Sequence, residues 1–513
     1  MIPLYTREEM REVDRAASGD YGIPSIALME SAGARATDVL HRDYASKLAH
    51  VLVVGGEGQN GGDGWVVARH LRSQGLVPTC VLIGSDERVR GDARVNLAAL
   101  RALGVSVLVL GGHAVEQLAP LVQQASLVVD ALFGTGLSRN VEGHFARTIE
   151  LLNQARVPIC SLDIPSGVDA NRGQVLGCAV WATCTVTFAG HKRGLHQFPG
   201  VAHAGRVTCV SIGAKLPDGP RVGLIEDRDV AALLVPAAGD SHKGTRGHVL
   251  AIAGSRGKTG AAILAALGAM RAGAGLVTIA ADPETQRVLE HKVLELMTAQ
   301  FDAAAPLASL LTLAEGKASA LLGPGFGLDD ARRELATSLA RELPIPCVLD
   351  ADALTALGTD LEQLREARAP RILTPHPTEA ARLLGRSTAA VQADRYGAAS
   401  ELAVRSGQVV VLKGARTVIA TPEGALRICR AGTPALGVAG TGDVLAGVLS
   451  ALVARERAHA AASAGVQIHA LAGEIAAESD RGMLASEVAH AIPRALERIR
   501  RSGQPDDASA ADA

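Results

Sequence analysis

Residues 50–65 read HVLVVGGEGQNGGDGW. A run of apolar residues enters a pair of glycines, and a helix is expected beyond them, from about residue 66 to residue 74. An apolar run that is continuous rather than alternating marks a strand buried on both faces. The pattern repeats downstream in TCVLIG (79–84), VSVLVL (105–110), LVVDALFG (127–134) and VPICSLDIPSG (157–167), with helical stretches between. Strands that alternate with helices predict an α/β domain with a parallel, doubly wound sheet. Ligands in such sheets sit beyond the carboxyl ends of the strands, where the Gly- and Asp-rich turns of this half fall. Upstream, Thr6 and Glu9 stand at capping-box spacing, with Met10, Val13 and Ala17 at helical spacing behind them.

A second alternation follows a stretch, 215–229, that carries Pro and Gly without clear periodicity and reads as a seam. HVLAIAGS (248–255) leads into an Ala-rich helix at about 260–273. LVTIA (276–280), ASALLGPG (318–325), IPCVLDADAL (345–354), RILTPH (371–376) and VVVLKG (409–414) read as further strands. Helices are expected at roughly 443–455, 458–478 and 484–501. Two domains follow, 1–215 and 225–502, with a small, acidic tail (503–513) expected to be disordered.

Bulk composition narrows the function. With 51 Lys+Arg against 53 Asp+Glu and no basic block, a nucleic-acid partner is not expected. The 7 scattered cysteines form no CxxC pair, which argues against a disulfide framework or a zinc site. Charge appears early in MIPLYTREEMREVDR, and no long uncharged apolar stretch occurs, so a membrane partner is not expected and the cytoplasm is the expected compartment.

The glycine loop 55–64 admits two readings, a phosphate cradle at a helix N-terminus or a turn chosen for tight packing. Two further strand ends favour the first: Asp130 in VDALFGTGLSRN and Asp163 in SLDIPSGVDA, each followed by a Gly-containing turn. Taken alone, Asp163 in the DIPSG turn could serve as a helix cap. In the second half, GSRGKTG (254–260) contains GKT but lacks the spacing of a Walker loop. AGTGDVLAG (439–447) is stronger, because Gly440, Thr441 and Gly442 present backbone N–H groups at a positive helix end. Asp443 could deprotonate a hydroxyl beside a phosphoryl group there, or merely complement the helix dipole. Taken alone, His376 in TPHP reads more readily as a packed histidine bonded to backbone than as a ligand contact.

Taken together, TREEMREVDRAA, LMESAG (28–33), the loop QNGGDG, VDALFGTGL and LDIPSG resemble the NAD(P)H-hydrate epimerase domain family, a Rossmann-like fold. Gln59 stands where that family's loop has its first Asn. The resemblance implies that Asp163 is the acid/base residue, touching the substrate. It implies that Gln59, Asn60, Gly61, Gly62 and Asp63, with Gly134, Thr135, Gly136, Leu137, Ser138, Arg139 and Asn140, line the hydrated dinucleotide. It also implies a potassium ion held by Asn60, Asp130 and Ser166, an oxygen donor set suited to a hard cation.

The second half is similar to the ribokinase-like α/β fold and, within it, to the NAD(P)H-hydrate dehydratases. The residues that carry this are SHKGTRGHVLAIAGS (241–255), LLGPGFG (321–327), VLDADAL (348–354), LTPHPTEAARLL (373–384), VVLKGARTVI (410–419) and GTGDVLAG. The resemblance implies Asp443 as catalytic base, with Ala261, Gly325, His376 and Asp443 touching hydrated NADH or NADPH. It implies a nucleotide site at Lys413, Gly414, Ala415, Arg416, Thr417 and Gly442. ADP is the expected co-substrate in preference to ATP, with magnesium, and a homo-oligomer, a tetramer or larger, is expected. The competing reading is a vitamin or sugar kinase fused to a non-catalytic Rossmann-like scaffold.

Overall fold

The structure, a computed structural model, describes residues 1–217, 219, 221–234, 239–240 and 242–503. From residue 504 onward, the tail expected to be disordered lies outside the described residues. The chain divides into two compact units, residues 3–220, and residues 221–513 together with the first two.

Among the described residues, the sheet of the first unit has seven strands, all parallel. Their order is Val107–Leu110, Thr79–Ile83, Val51–Gly55, Leu127–Ala131, Ile159–Leu162, Cys184–Phe188 and Arg206–Val210. The chain thus winds outward from Val51–Gly55 in both directions. The order reverses between that strand and Leu127–Ala131, where a doubly wound sheet opens a crevice at its carboxyl edge. Val51 and Val53 pack into one core while Leu52 and Val54 pack into the other, which is why the run is apolar throughout. The Thr6–Glu9 capping box forms, and Met10, Val13 and Ala17 are buried.

The helix after the glycine loop spans Gln59–Ser73, so it begins earlier than the expected residue 66 and takes the glycines into its first turns. Glycine is a poor helix former, and packing overrides that preference here. A Cβ at Gly61 would stand 2.1 Å from the Gly56 carbonyl oxygen, and one at Gly64 would stand 2.7 Å from Ala131 Cβ.

In the second unit the strand order is Met297–Gln300, Leu276–Ala281, His248–Ile252, Ser319–Leu322, Cys347–Leu349, Arg371–Leu373, Val409–Leu412, Val418–Ala420, Leu426–Cys429 and Val222–Ile225. Val418–Ala420 runs antiparallel to both neighbours. The seam also holds more structure than its sequence suggests. Val222–Ile225 pairs in parallel with Leu426–Cys429, and the helix Asp227–Ala231 follows it. A four-residue strand that borrows its partner from 200 residues downstream leaves no local periodicity to read.

With few aromatic side chains, the second core depends on close backbone approach. The helices Thr259–Arg271 and Thr441–Val453 meet through Ala262, Ala265, Ala266 and Ala269, all buried. A Cβ at Gly447 would stand 1.9 Å from the Ala265 carbonyl oxygen. This crossing sets the position of the Gly440–Gly442 turn above the sheet.

Candidate active sites

In the first unit a cavity of about 740 Å³ opens at the crevice. Its wall includes Gln59, Asn60 and Asp63 from the start of the helix Gln59–Ser73, and Gly134, Thr135, Gly136, Leu137, Ser138 and Arg139 from the turn after Leu127–Ala131. Asp163 and Lys192 join them, as do Met10, Arg11 and Asp14 from the helix Arg7–Gly19. Asn140 is not part of this wall, nor are Gly61 and Gly62. The missing side chain of Gly62 makes room for Met29, with a Cβ there only 2.7 Å from the Met29 sulfur. These two glycines shape the loop from behind.

Asp163 follows the strand Ile159–Leu162 with φ of 65°, a left-handed conformation that a non-glycine residue adopts at a cost. It caps no helix. Its Oδ2 accepts the Thr135 backbone N–H at 3.0 Å, and its Oδ1 is 2.6 Å from Lys192 Nζ. Burial pushes the Asp63 carboxyl well above its ordinary value, and Asp163 and Asp14 add to the effect while Lys192 opposes it. Asp14 is raised as well, by burial first, with Lys192 lowering and Asp163 raising it. Asp14, Asp63, Asp163 and the Lys192 ammonium therefore act on one another in this cavity. Sequence reasoning missed Lys192 and Asp14. Lys192 lies just past Cys184–Phe188, a strand that was itself not foreseen, and its signal was a basic residue at a strand end in FAGHKRG.

Below this cluster Asp130 is fully buried on the strand Leu127–Ala131. Its Oδ1 accepts Ser166 Oγ at 2.6 Å and the Leu132 N–H at 3.2 Å. Its Oδ2 accepts Ser161 Oγ at 2.7 Å and the Ser166 N–H at 3.0 Å. Burial raises the Asp130 carboxyl above its ordinary value, and these four donors work against that rise. Asn60 differs: its amide nitrogen and oxygen are both buried without a hydrogen-bond partner. A buried amide in that state ordinarily has a ligand, ion or water to satisfy it.

The second unit gathers its polar residues at the carboxyl ends of its strands. Lys413 follows Val409–Leu412 and its Nζ donates to Asp350 Oδ1 at 2.6 Å, while Thr374 Oγ1 donates to the same oxygen at 2.7 Å. Glu379 Oε2 is 3.9 Å from the same ammonium. Burial disfavours the Lys413 charge, but Asp350, Glu379 and Asp443 outweigh it and hold the ammonium above its ordinary value. A Cβ on Gly442 would stand 3.5 Å from Lys413 Nζ, so the glycine turn and the lysine face one another. Gly414, Ala415, Arg416 and Thr417 form the turn between Val409–Leu412 and Val418–Ala420, closed by Thr417 Oγ1 donating to the Gly414 carbonyl at 2.8 Å.

Asp443 lies in the first turn of Thr441–Val453, whose N-cap is Gly440 at φ of 95°. Among the described residues no protein group hydrogen-bonds its carboxyl. Burial, with Asp350 next and Asp352 and Glu379 behind it, pushes the group up to about 7, against the pull of Lys413. Glu379 is also pushed up to about 7, by burial first. His376 caps the helix Pro377–Leu384: its Nδ1 accepts the Thr378 N–H at 3.1 Å, and its own N–H donates to Glu379. The backbone-bonded reading of His376 therefore describes Nδ1, while Nε2 lies 3.5 Å from Glu379 Oε1. Burial and Lys413 hold the imidazole below its ordinary value. Gly325 and Ala261 also meet, a Cβ on the glycine standing 3.4 Å from Ala261. Asp350 and Glu379 had been quoted only as parts of motifs, without roles.

Residues 249–494 match the family model described as NAD(P)H-hydrate dehydratase, and residues 25–194 match YjeF-related protein N-terminus. A bifunctional NAD(P)H-hydrate repair enzyme Nnr from Moorella thermoacetica is 40% identical over 522 residues, covering 97% of each chain. Enzymes of the same name from Thermofilum pendens and Coxiella burnetii are 37% and 38% identical, covering 96% and 95% of this chain and 96% and 98% of theirs. The chain belongs to the bifunctional NAD(P)H-hydrate repair enzymes. Its first unit carries the epimerase domain of that family and its second the dehydratase domain. The alternative of a kinase fused to an inert scaffold is set aside, because the relatives match over both halves. An ADP/ATP-dependent NAD(P)H-hydrate dehydratase from Bacillus subtilis, co-crystallised with ATP and Mg²⁺, is 29% identical. It covers 53% of this chain and 97% of its own, with a TM-score of 0.48. Among the described residues of the repair enzyme, no helix is long and apolar enough to cross a membrane.

Proposed function

We propose that the first unit interconverts the R and S epimers of hydrated NAD(P)H through Asp163, and that the second dehydrates the S epimer through Asp443, with ADP as phosphoryl donor. The observation that carries this reading is the Asp443 carboxyl, unpartnered and pushed up to about 7 beside an anion-binding helix end and the Lys413 ammonium. A carboxylate with a value near working pH is suited to take a proton from a hydroxyl. The hydroxyl oxygen of the hydrate then attacks the terminal phosphorus of ADP, and AMP departs. The phosphorylated oxygen leaves as phosphate as the neighbouring ring carbon loses its proton, which restores the dihydropyridine. Hydroxide alone is a poor leaving group, and phosphorylation removes that obstacle. Lys413 and the Gly440–Gly442 turn supply the fixed positive field such a transfer needs. Asp350 and Asp443 are carboxylates of the kind that hold magnesium beside phosphates.

In the first site the reacting carbon bears a hydroxyl and a ring nitrogen, so its inversion is a matter of moving protons, which Asp163 mediates. We assign a potassium site to Asn60, Asp130 and Ser166. The orphaned Asn60 amide fits a cation ligand, and a single carboxylate among neutral oxygens suits a large monovalent ion better than magnesium or zinc. Asp130 and Ser166 are bonded to one another, so the ion would share their oxygens with that hydrogen bond. Its chemistry would be to orient the substrate hydroxyl beside Asp163. Anomalous scattering from crystals grown in thallium should show a peak among the three side chains, and a blank map refutes the site.

The decisive assay for the function as a whole is incubation of hydrated NADH with the full chain and ADP. Recovery of dihydronicotinamide absorbance from both epimers is expected. Recovery only with ATP overturns the donor assignment, and no recovery with either overturns the reading.

A further inference from the structure

Lys192 is 2% exposed. Lysine is almost never that buried unless paired, because stripping water from an ammonium is expensive. Its Nζ lies 2.6 Å from Asp163 Oδ1, and it donates to Thr187 Oγ1 at 3.0 Å and to the Phe188 carbonyl at 2.8 Å. An ammonium has three protons, and these three acceptors engage them all. No donor is left over for a ligand, so whatever Lys192 does it does through Asp163. The opposite oxygen, Asp163 Oδ2, sits against Gly134 and Thr135 of the cavity wall.

We propose that Lys192 is a positioning residue for epimerisation: it fixes Asp163 by Oδ1, leaving Oδ2 turned to the cavity to exchange protons with the substrate. The need for such a partner comes from the surroundings. Asp163 shares its pocket with Asp14 and Asp63, and both carboxyls feel Asp163 and Lys192. The Cys209 thiol feels the same pair. Without the ammonium, a carboxylate at Asp163 would face two acidic neighbours with its φ of 65° unsupported on that side. The inference rests on the assignment of Asp163 as the acid/base residue.

The test uses the full chain and the R epimer of hydrated NADH without ADP, following conversion to the S epimer by chromatography. In Lys192→Met, kcat should fall about tenfold or more while KM changes little. Dehydration of the S epimer by the same preparation should be unchanged, which certifies the protein. Lys192→Arg should recover part of the loss. Lys192→Met in an Asp163→Asn background should be no slower than Asp163→Asn alone, since a residue acting through another adds nothing once the other is gone. Wild-type kcat in Lys192→Met overturns the inference, and so do losses that multiply in the double variant. If Lys192→Met precipitates, Lys192→Arg replaces it in the same double-variant comparison, with the same two outcomes. Wild-type epimerisation by Asp163→Asn alone would instead sink the assignment of Asp163, so the two failures are told apart.

Discussion

Asp163 and Asp443 are the same residue type, each beside a glycine-bearing turn, Asp163 just before its turn and Asp443 just after, and they are held in opposite ways. Asp163 is tied down on both oxygens, by the Lys192 ammonium and by the Thr135 N–H. Asp443 has no such ties, because the nearby Lys413 ammonium bonds Asp350 instead. The difference matches the two chemistries. Epimerisation transfers no phosphoryl group past Asp163, and there the protein itself supplies the counter-charge and the orientation. Phosphoryl transfer arrives with a polyphosphate and its cation, so the base can be left raised and open until the ligand completes its surroundings.

The sharpest way to break this comparison is Asp443→Asn. It should abolish ADP-dependent recovery of NADH, a loss on the order of 10²–10⁴-fold for a general base, while the R-to-S conversion proceeds at the wild-type rate. Dehydration at the wild-type rate would remove Asp443 from the chemistry.

Asp163→Ala comes next in size. It should restrict repair to the S epimer, with R disappearing only as fast as it inverts in solution. Prompt consumption of both epimers would show that the first site lies elsewhere.

A smaller effect sharpens the contrast through pH. Asp443 must lose its proton to act, and its value is pushed up to about 7, so dehydratase kcat/KM should rise with pH through about 7. An acidic limb near the ordinary carboxylate range would contradict the burial argument. The same shift has a stability consequence of opposite sign. A carboxyl raised on folding from its ordinary value of 3.8 to about 7 binds its proton more tightly in the folded state. Its contribution is therefore present at low pH and is lost as pH rises through about 7. Asp443→Asn should accordingly melt above wild type at pH 8, and the gap should close toward pH 4.

Much of both sites was legible because the relevant residues are consecutive. The apolar run 50–54 could only be a strand buried on both sides, and GTGD before a helix could only place N–H groups at a positive end. Where the reading went astray, the missing information was non-local. The glycines of residues 61–64 read as loop, yet they are helix because Gly56, Met29 and Ala131 leave no room for a side chain. Val222–Ile225 had no periodicity of its own, because its partner strand lies 200 residues away. His376 showed nothing in sequence to say that Nδ1 caps a helix while Nε2 faces the Glu379 carboxylate.

What the sequence determined alone was the alternation of strands and helices, the two glycine-turn sites and the two aspartates, since each of these follows from short-range steric and hydrogen-bonding preferences. Only the tertiary structure decided the partners. Lys192 reaches Asp163 across 29 positions of chain and Asp350 reaches Lys413 across 63. Salt bridges depend on which strand ends the sheet order brings side by side, and that order is a property of the packed whole.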